Sequence, residues 1–179
     1  MKTILLALLF LMTFSILAQA QTDQARVAPS CGPDKVKFEV KTGKGLHEVK
    51  QPDAGKALVY FIEDNTAFES LPRPTTRAGV DGEWAGAAQG NSFFSFSVDP
   101  GEHHLCASWQ TWVGPGVSVA QKTAAAHFTA ERGGIYYFRV KNFFLHDVRR
   151  PFMKLEQLDS DEGALLANNF SFSTSQPKK

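Results

Sequence analysis

The segment Val98 to Trp109, VDPGEHHLCASW, places His103, His104 and Cys106 close together, and imidazole and thiolate are the side chains that hold zinc or copper or carry redox chemistry. On a β-strand successive side chains point to opposite faces, so His103 and His104 diverge and do not share an ion. His104 and Cys106 do share a face. A soft transition metal held by that pair needs further ligands from elsewhere, with His127 as the candidate third. The competing use of Cys106 is a disulfide with Cys31, the other of two cysteines. An even cysteine count in an exported chain favours a bridge over two separate buried thiols. The incomplete ligand set predicts no resident metal and no cofactor.

The other candidates for chemistry are weaker. His47 lies in a Gly- and Lys-rich turn, and His146 precedes Asp147, but no serine in a Gly-framed nucleophile elbow accompanies them. No catalytic residue is assigned, and the chain is expected not to be an enzyme. The acids of DSDEG resemble a calcium loop only through Asp159, Asp161 and Gly163; the distal glutamate is missing, and helix capping is the better reading. Glu63, Asp64 and Glu69 of FIEDNTAFE read as solvated loop acids. Trp109 and Trp112 of SWQTWVGPG fall on opposite strand faces, and Trp84 sits beside a turn. Exposed aromatics at a rim stack on sugars or anchor a partner, so Trp84, Trp109 and Trp112, with His127 and Tyr137 on an outer face, form the candidate binding surface. The alternative is that the tryptophans close the ends of the core.

The elements that position these residues are short apolar runs parted by Gly, Pro, Asp and Asn, the pattern of an all-β chain. VKFEVK alternates, whereas KALVYFIED is nearly continuous and suits a strand covered on both faces. Asp81-Gly82 in TRAGVDGEW predicts a type I′ hairpin pairing Arg77–Val80 with Glu83–Gly86. DPGE is expected to join SFFSFSV to HHLCASWQTW as a hairpin with Val98 opposite His103. One face then carries Phe94, Phe96, Val98, Leu105, Ala107 and Trp109, with His103 at its rim. A turn at Glu131-Arg132-Gly133 similarly sets Phe128 against Tyr136. PFMKLEQL reads as a further strand and DSDEGALLANN as a helix capped by Asp159. The expected architecture is a single antiparallel β-sandwich of eight or nine strands over residues 36–169 with one short C-terminal helix, followed by a flexible tail at 170–179.

The first twenty residues, MKTILLALLFLMTFSILAQA, combine one lysine, an apolar run and Ala18-Gln19-Ala20, the layout of a cleaved secretory signal. Residues 21–35 read as an extended leader. Cleavage removes one lysine and no acid, leaving 18 cations against 18 acids. A neutral chain without a basic run lacks the electrostatic footprint of a nucleic-acid binder. The apolar run of the signal is shorter than the roughly 20 residues a membrane-spanning helix needs, and no later segment approaches that length. The expectation is an exported protein of the periplasm or the extracellular space.

KALVYFIED, TTRAGVDGEWAGAAQGNSFFSFSVDPGEHHLCA, AHFTAERGGIYYFRV and MKLEQLDSDEGALL together resemble the bacterial domain of unknown function 2846 family over roughly Lys56 to Leu166, and the VDG and PGEH turns are similar to those of PEGA-type β-sandwich modules. That resemblance implies an exported or envelope-associated β-sandwich and supplies no catalytic residues. The function expected is a non-enzymatic module that binds an envelope protein or glycan, or acts structurally at the cell envelope. A metal-binding or hydrolytic protein using His104 and Cys106, and a carbohydrate binder using rim tryptophans, are the alternatives.

Overall fold

A computed structural model describes residues 31–43, 50–69, 71–110, 122–144 and 150–179. These form strands β1 (Phe38–Gly43), β2 (Ala57–Asp64), β3 (Thr75–Val80), β4 (Glu83–Gln89), β5 (Ser92–Val98), β6 (Gly101–Trp109), β7 (Thr123–Ala130), β8 (Ile135–Phe143) and β9 (Phe152–Leu158), helix α1 (Ser160–Asn169), and strand β10 (Ser171–Pro177). The expected signal segment 1–20, residues 21–30 of the expected leader, Trp112, His47, His146 and Asp147 lie outside the described residues.

The continuous apolar run of KALVYFIED becomes β2, buried along its whole length. It is central in a six-stranded sheet ordered β1-β10-β5-β2-β8-β9; a four-stranded sheet ordered β4-β3-β6-β7 forms the second layer. Val59 and Phe61 of β2, Phe138 of β8, Leu105 and Ala107 of β6 and Phe128 of β7 meet in one core fed by both sheets. The other face of β2, through Leu58, Tyr60 and Ile62, is covered by Ala164, Leu166 and Ala167 of α1. Burial on both sides explains why this strand shows no polar alternation.

The Asp81-Gly82 hairpin forms as expected, with φ of 51° and 89° at its two central residues, the left-handed conformation a type I′ turn requires. Its ladder pairs Val80 with Glu83 and Arg77 with Ala87, one residue beyond the expected register because a bulge interrupts it between Ala78 and Gly79. Helix α1 is capped as expected: the Asp159 side chain accepts from the N–H groups of Asp161 and Glu162, both at 2.9 Å.

Three expectations are corrected. The sheets are not wholly antiparallel, since β2 pairs β8 and β10 pairs β5 in parallel. The turns after β5 and β7 are arches between layers rather than hairpins: β5 pairs β2 and β10, whereas β6 pairs β3 and β7. A strand arriving from the opposite layer is not bound to run antiparallel to its new neighbour. The facing residues survive this change because both arrangements point Phe94, Phe96, Val98, Leu105, Ala107 and Trp109 inward. Finally, residues 170–179 are not a free tail; Ser171–Pro177 is the tenth strand, inserted between β1 and β5. Small serines suit this tight position: Ser173 Oγ lies 2.7 Å from Ser92 Oγ, and Ser175 Oγ accepts from the Ala87 N–H at 3.0 Å.

Candidate functional site

The outer face of the four-stranded sheet is crossed by the segment between Cys31 and Val36. Its anchor is the Cys31–Cys106 disulfide, with Cα atoms 5.2 Å apart, inside the span such a bridge accommodates. The bridge matches the expected pairing and removes Cys106 as a metal ligand, so a centre built on His104 and Cys106 is overturned. Gly32 lies directly against Trp84; an added Cβ would meet the indole Cδ1 at 2.4 Å. The Trp84 Nε1–H donates to the Pro33 carbonyl at 2.8 Å. The crossing segment is thus held at both a sulfur and an indole.

Beneath it lies Arg77, only 6% exposed. Its Nη1 donates to the Val36 carbonyl at 2.6 Å and to that of Asp34 at 3.2 Å. The guanidinium carbon sits 4.1 Å from the centre of the Trp84 ring, a stacked cation–π arrangement. Burial lowers the affinity of this guanidinium for its proton, with Asp34 opposing, and the group stays charged because arginine starts so high.

Beside the end of β6 and the start of β7, which stay joined by the bond from the Trp109 N–H to the Lys122 carbonyl at 3.1 Å, the crossing segment leaves an open cleft of about 480 Å³, within the size range of small-ligand sites. Lys37, Arg77 and Lys122 line it, with Asp34 as the one acid among the described residues and Ser108 and Gln110 as neutral polar groups. Gln110 is fixed in place: its side-chain oxygen accepts from the Phe38 N–H at 2.8 Å and its amide donates to the Phe38 carbonyl at 2.7 Å. The cleft walls therefore rest on β3, β6, β7 and the disulfide-anchored segment. A smaller depression of about 170 Å³ lies on the β1–β10 edge.

At the opposite end of β6, Asp81 organises two turns. Its Oδ2 lies 2.6 Å from His103 Nδ1, and the other ring nitrogen of His103 lies 2.7 Å from the Asp99 carbonyl oxygen. Two acceptors on two ring nitrogens are satisfied together only by the imidazolium. Burial works against that charge, yet the Asp81 carboxylate and Asp99 carbonyl lift His103 above its ordinary value. Burial also works against the Asp81 charge, and the bonds from the His104 N–H and His103 hold it below its ordinary value nonetheless.

A third polar assembly sits inside the core. Glu63 is fully buried and its Oε1 accepts from Thr76 Oγ1 at 2.7 Å and Asn142 Nδ2 at 3.1 Å. Asn142 also donates to Asn65 Oδ1 at 2.7 Å and accepts from Trp109 Nε1 at 2.8 Å. Glu63 Oε2 has no hydrogen-bond partner among the described residues. Burial pushes this carboxyl well above the usual range, outweighing the bonds from Thr76, Asn65 and Asn142. Glu63 and Asp64 are thus buried, not solvated loop acids, because β2 extends through both.

The candidate binding surface does not assemble. Trp109 is buried and bonded to Asn142. Tyr137 is buried under α1, where Gly163 packs so closely that an added Cβ would lie 2.1 Å from the Tyr137 Cγ. The Trp84 ring is engaged by Arg77 and Gly32. His127 alone of the described members is exposed, on the outer face opposite His104. The cleft residues Lys37, Arg77, Gln110 and Lys122 carried no signal in sequence, since isolated cations gain meaning only when strands bring them together. Among the described residues no group of three or more His, Cys, Asp and Glu is arranged to hold a metal, and no helix is long and apolar enough to cross a membrane. Comparisons of the chain with protein-family models, curated proteins and solved structures found no match.

Proposed function

We propose that the chain is an exported, non-enzymatic β-sandwich module of the cell envelope that takes an acidic glycan in the cleft between the disulfide-anchored segment and β6. The observation that carries the reading is the cleft itself, lined among the described residues by Lys37, Arg77 and Lys122 and one acid, Asp34. Three lining cations favour a carboxylated ligand, since charge-assisted hydrogen bonds to carboxylate are the strong ones. Export is supported by the apolar run ending in Ala18-Gln19-Ala20 and by a disulfide, which persists outside the reducing cytoplasm. An envelope location is supported by the resemblance of its motif order to that of the domain of unknown function 2846 family.

Affinity electrophoresis of the purified, oxidised chain through gels containing a polyuronate or a neutral glucan tests the proposal. Retardation is expected in the polyuronate gel alone and is abolished by combining Lys37→Glu with Lys122→Glu. Equal mobility in both gels, or retardation unaffected by the charge reversals, overturns it.

A further inference from the structure

We propose that His104 and His127 form a two-point surface site for a borderline divalent transition ion, copper(II) or zinc(II), on the outer face of the four-stranded sheet. The two residues are directly opposed in the β6–β7 ladder and both are exposed. Their ring centres lie 5.0 Å apart with planes inclined at 46°. Two imidazoles on one tetrahedral zinc(II), each nitrogen about 2.0–2.1 Å from it, have ring centres about 5 Å apart, and a tetragonal copper(II) takes two rings at neighbouring positions slightly closer together. The pair is therefore already spaced for an ion.

The backbone beneath the pair is fixed, which lowers the ordering cost of closing on a ligand. His104 donates its N–H to Asp81 Oδ1 at 2.9 Å, and its carbonyl accepts from the Asp81 N–H at 3.0 Å. The neighbours of the pair along each strand, Leu105 and Phe128, are locked in the core. Glu102 places a carboxylate 3.9 Å from His127 Nε2, adding negative charge where a cation would sit. Since Cys106 is bridged and no third ligand completes a cluster among the described residues, solvent supplies the other positions. Imidazole ligation suits copper and zinc, with copper(II) the tighter by the general affinity order. This site is separate from the cleft and does not depend on it.

The test is a titration of the purified, oxidised chain, carrying no affinity tag, with copper(II) and zinc(II), read by equilibrium dialysis and by histidine side-chain NMR. One equivalent is expected to bind, copper more tightly than zinc, with the zinc-induced shifts confined to the rings of His104 and His127. His104→Gln and His127→Gln are each expected to lose the saturable binding while retaining the disulfide and the far-ultraviolet circular dichroism of the parent. The NMR readout needs no variant, so a failure of either variant to fold does not affect it. Absence of saturable binding of either ion, shifts centred on other residues, or binding retained in either folded variant overturns the site.

Discussion

Asp81 and His103 are joined at 2.6 Å across two turns, one within the β3–β4 hairpin and one in the arch from β5 to β6. The contact links a hairpin of one sheet to the crossover between layers. Asp81 reaches it because it occupies the left-handed position of its turn and, from there, also bonds both backbone groups of His104.

This pair makes stability depend on pH at both ends. His103 is raised above its ordinary 6.5, so its contribution is full below that value and is lost as pH rises through the raised one. Asp81 is lowered from 3.8, so its contribution is present above that value and is lost as pH falls through the lowered one. His103→Gln is expected to destabilise the protein by about 1 kcal/mol between these limits, a figure discounted because the Asp81 side chain is nearly half exposed. Urea unfolding at a series of pH values checks this; a deficit that grows in alkaline solution contradicts it.

Glu63 acts in the opposite sense. Its carboxyl is raised, so above the ordinary value of 4.5 the unfolded chain ionises while the folded one keeps its proton. Stability then falls by about 1.4 kcal/mol for each pH unit until the raised value is reached. Glu63→Gln keeps an oxygen for Thr76 and Asn142 and removes this slope. The variant is expected to melt higher than the parent at neutral pH and no higher in acid; scanning calorimetry at both conditions decides it.

Gly163→Ala sets helix propensity against packing. Alanine favours a helix interior by about 1 kcal/mol over glycine, but the new methyl would fall 2.1 Å from Tyr137 Cγ. Overpacking of this kind costs about 1–3 kcal/mol, and α1 would have to lift from β8. Thermal melting is expected to show a net loss of stability; a gain would mean that the helix does not press on Tyr137 in solution.

Replacing both Cys31 and Cys106 by serine opens a link spanning 75 residues. The chain-entropy relation puts the loss at about 4.5 kcal/mol as an upper figure. Because the same link holds the segment over Trp84, the indole is expected to become more solvated, with a red shift in fluorescence. Unchanged emission in a folded double variant would show that the Pro33 and Arg77 contacts hold the segment unaided.

Features set by neighbours in the chain were legible in the sequence. The Asp81-Gly82 turn, the Asp159 cap and the double-sided burial of β2 each follow from a few adjacent residues. Strand pairing was not, because a Pro-Gly or Gly-Gly turn looks the same whether it joins partners in one sheet or arches to the other. Strand β10 escaped notice for a related reason: its serines match the signal of a polar tail, and only the closeness of Gly86 and Ser92 explains them. Of the site, Cys31–Cys106 was readable from the cysteine count together with the expected export. The cleft was not, since Lys37, Arg77 and Lys122 come from three separate stretches of the chain, and Glu63 meets Asn142 only after folding has brought together residues 79 apart.

The claim that the cleft is a binding site for acidic glycan is tested most directly by adding a short oligouronate to the isotopically labelled, oxidised chain and mapping the backbone amide shifts. The account predicts saturable shifts concentrated at Lys37, Ser108, Gln110 and Lys122, with none for the neutral oligosaccharide of the same length. Shifts centred instead on Glu39 and Thr174 of the β1–β10 depression, or no saturable shift at all, would contradict it.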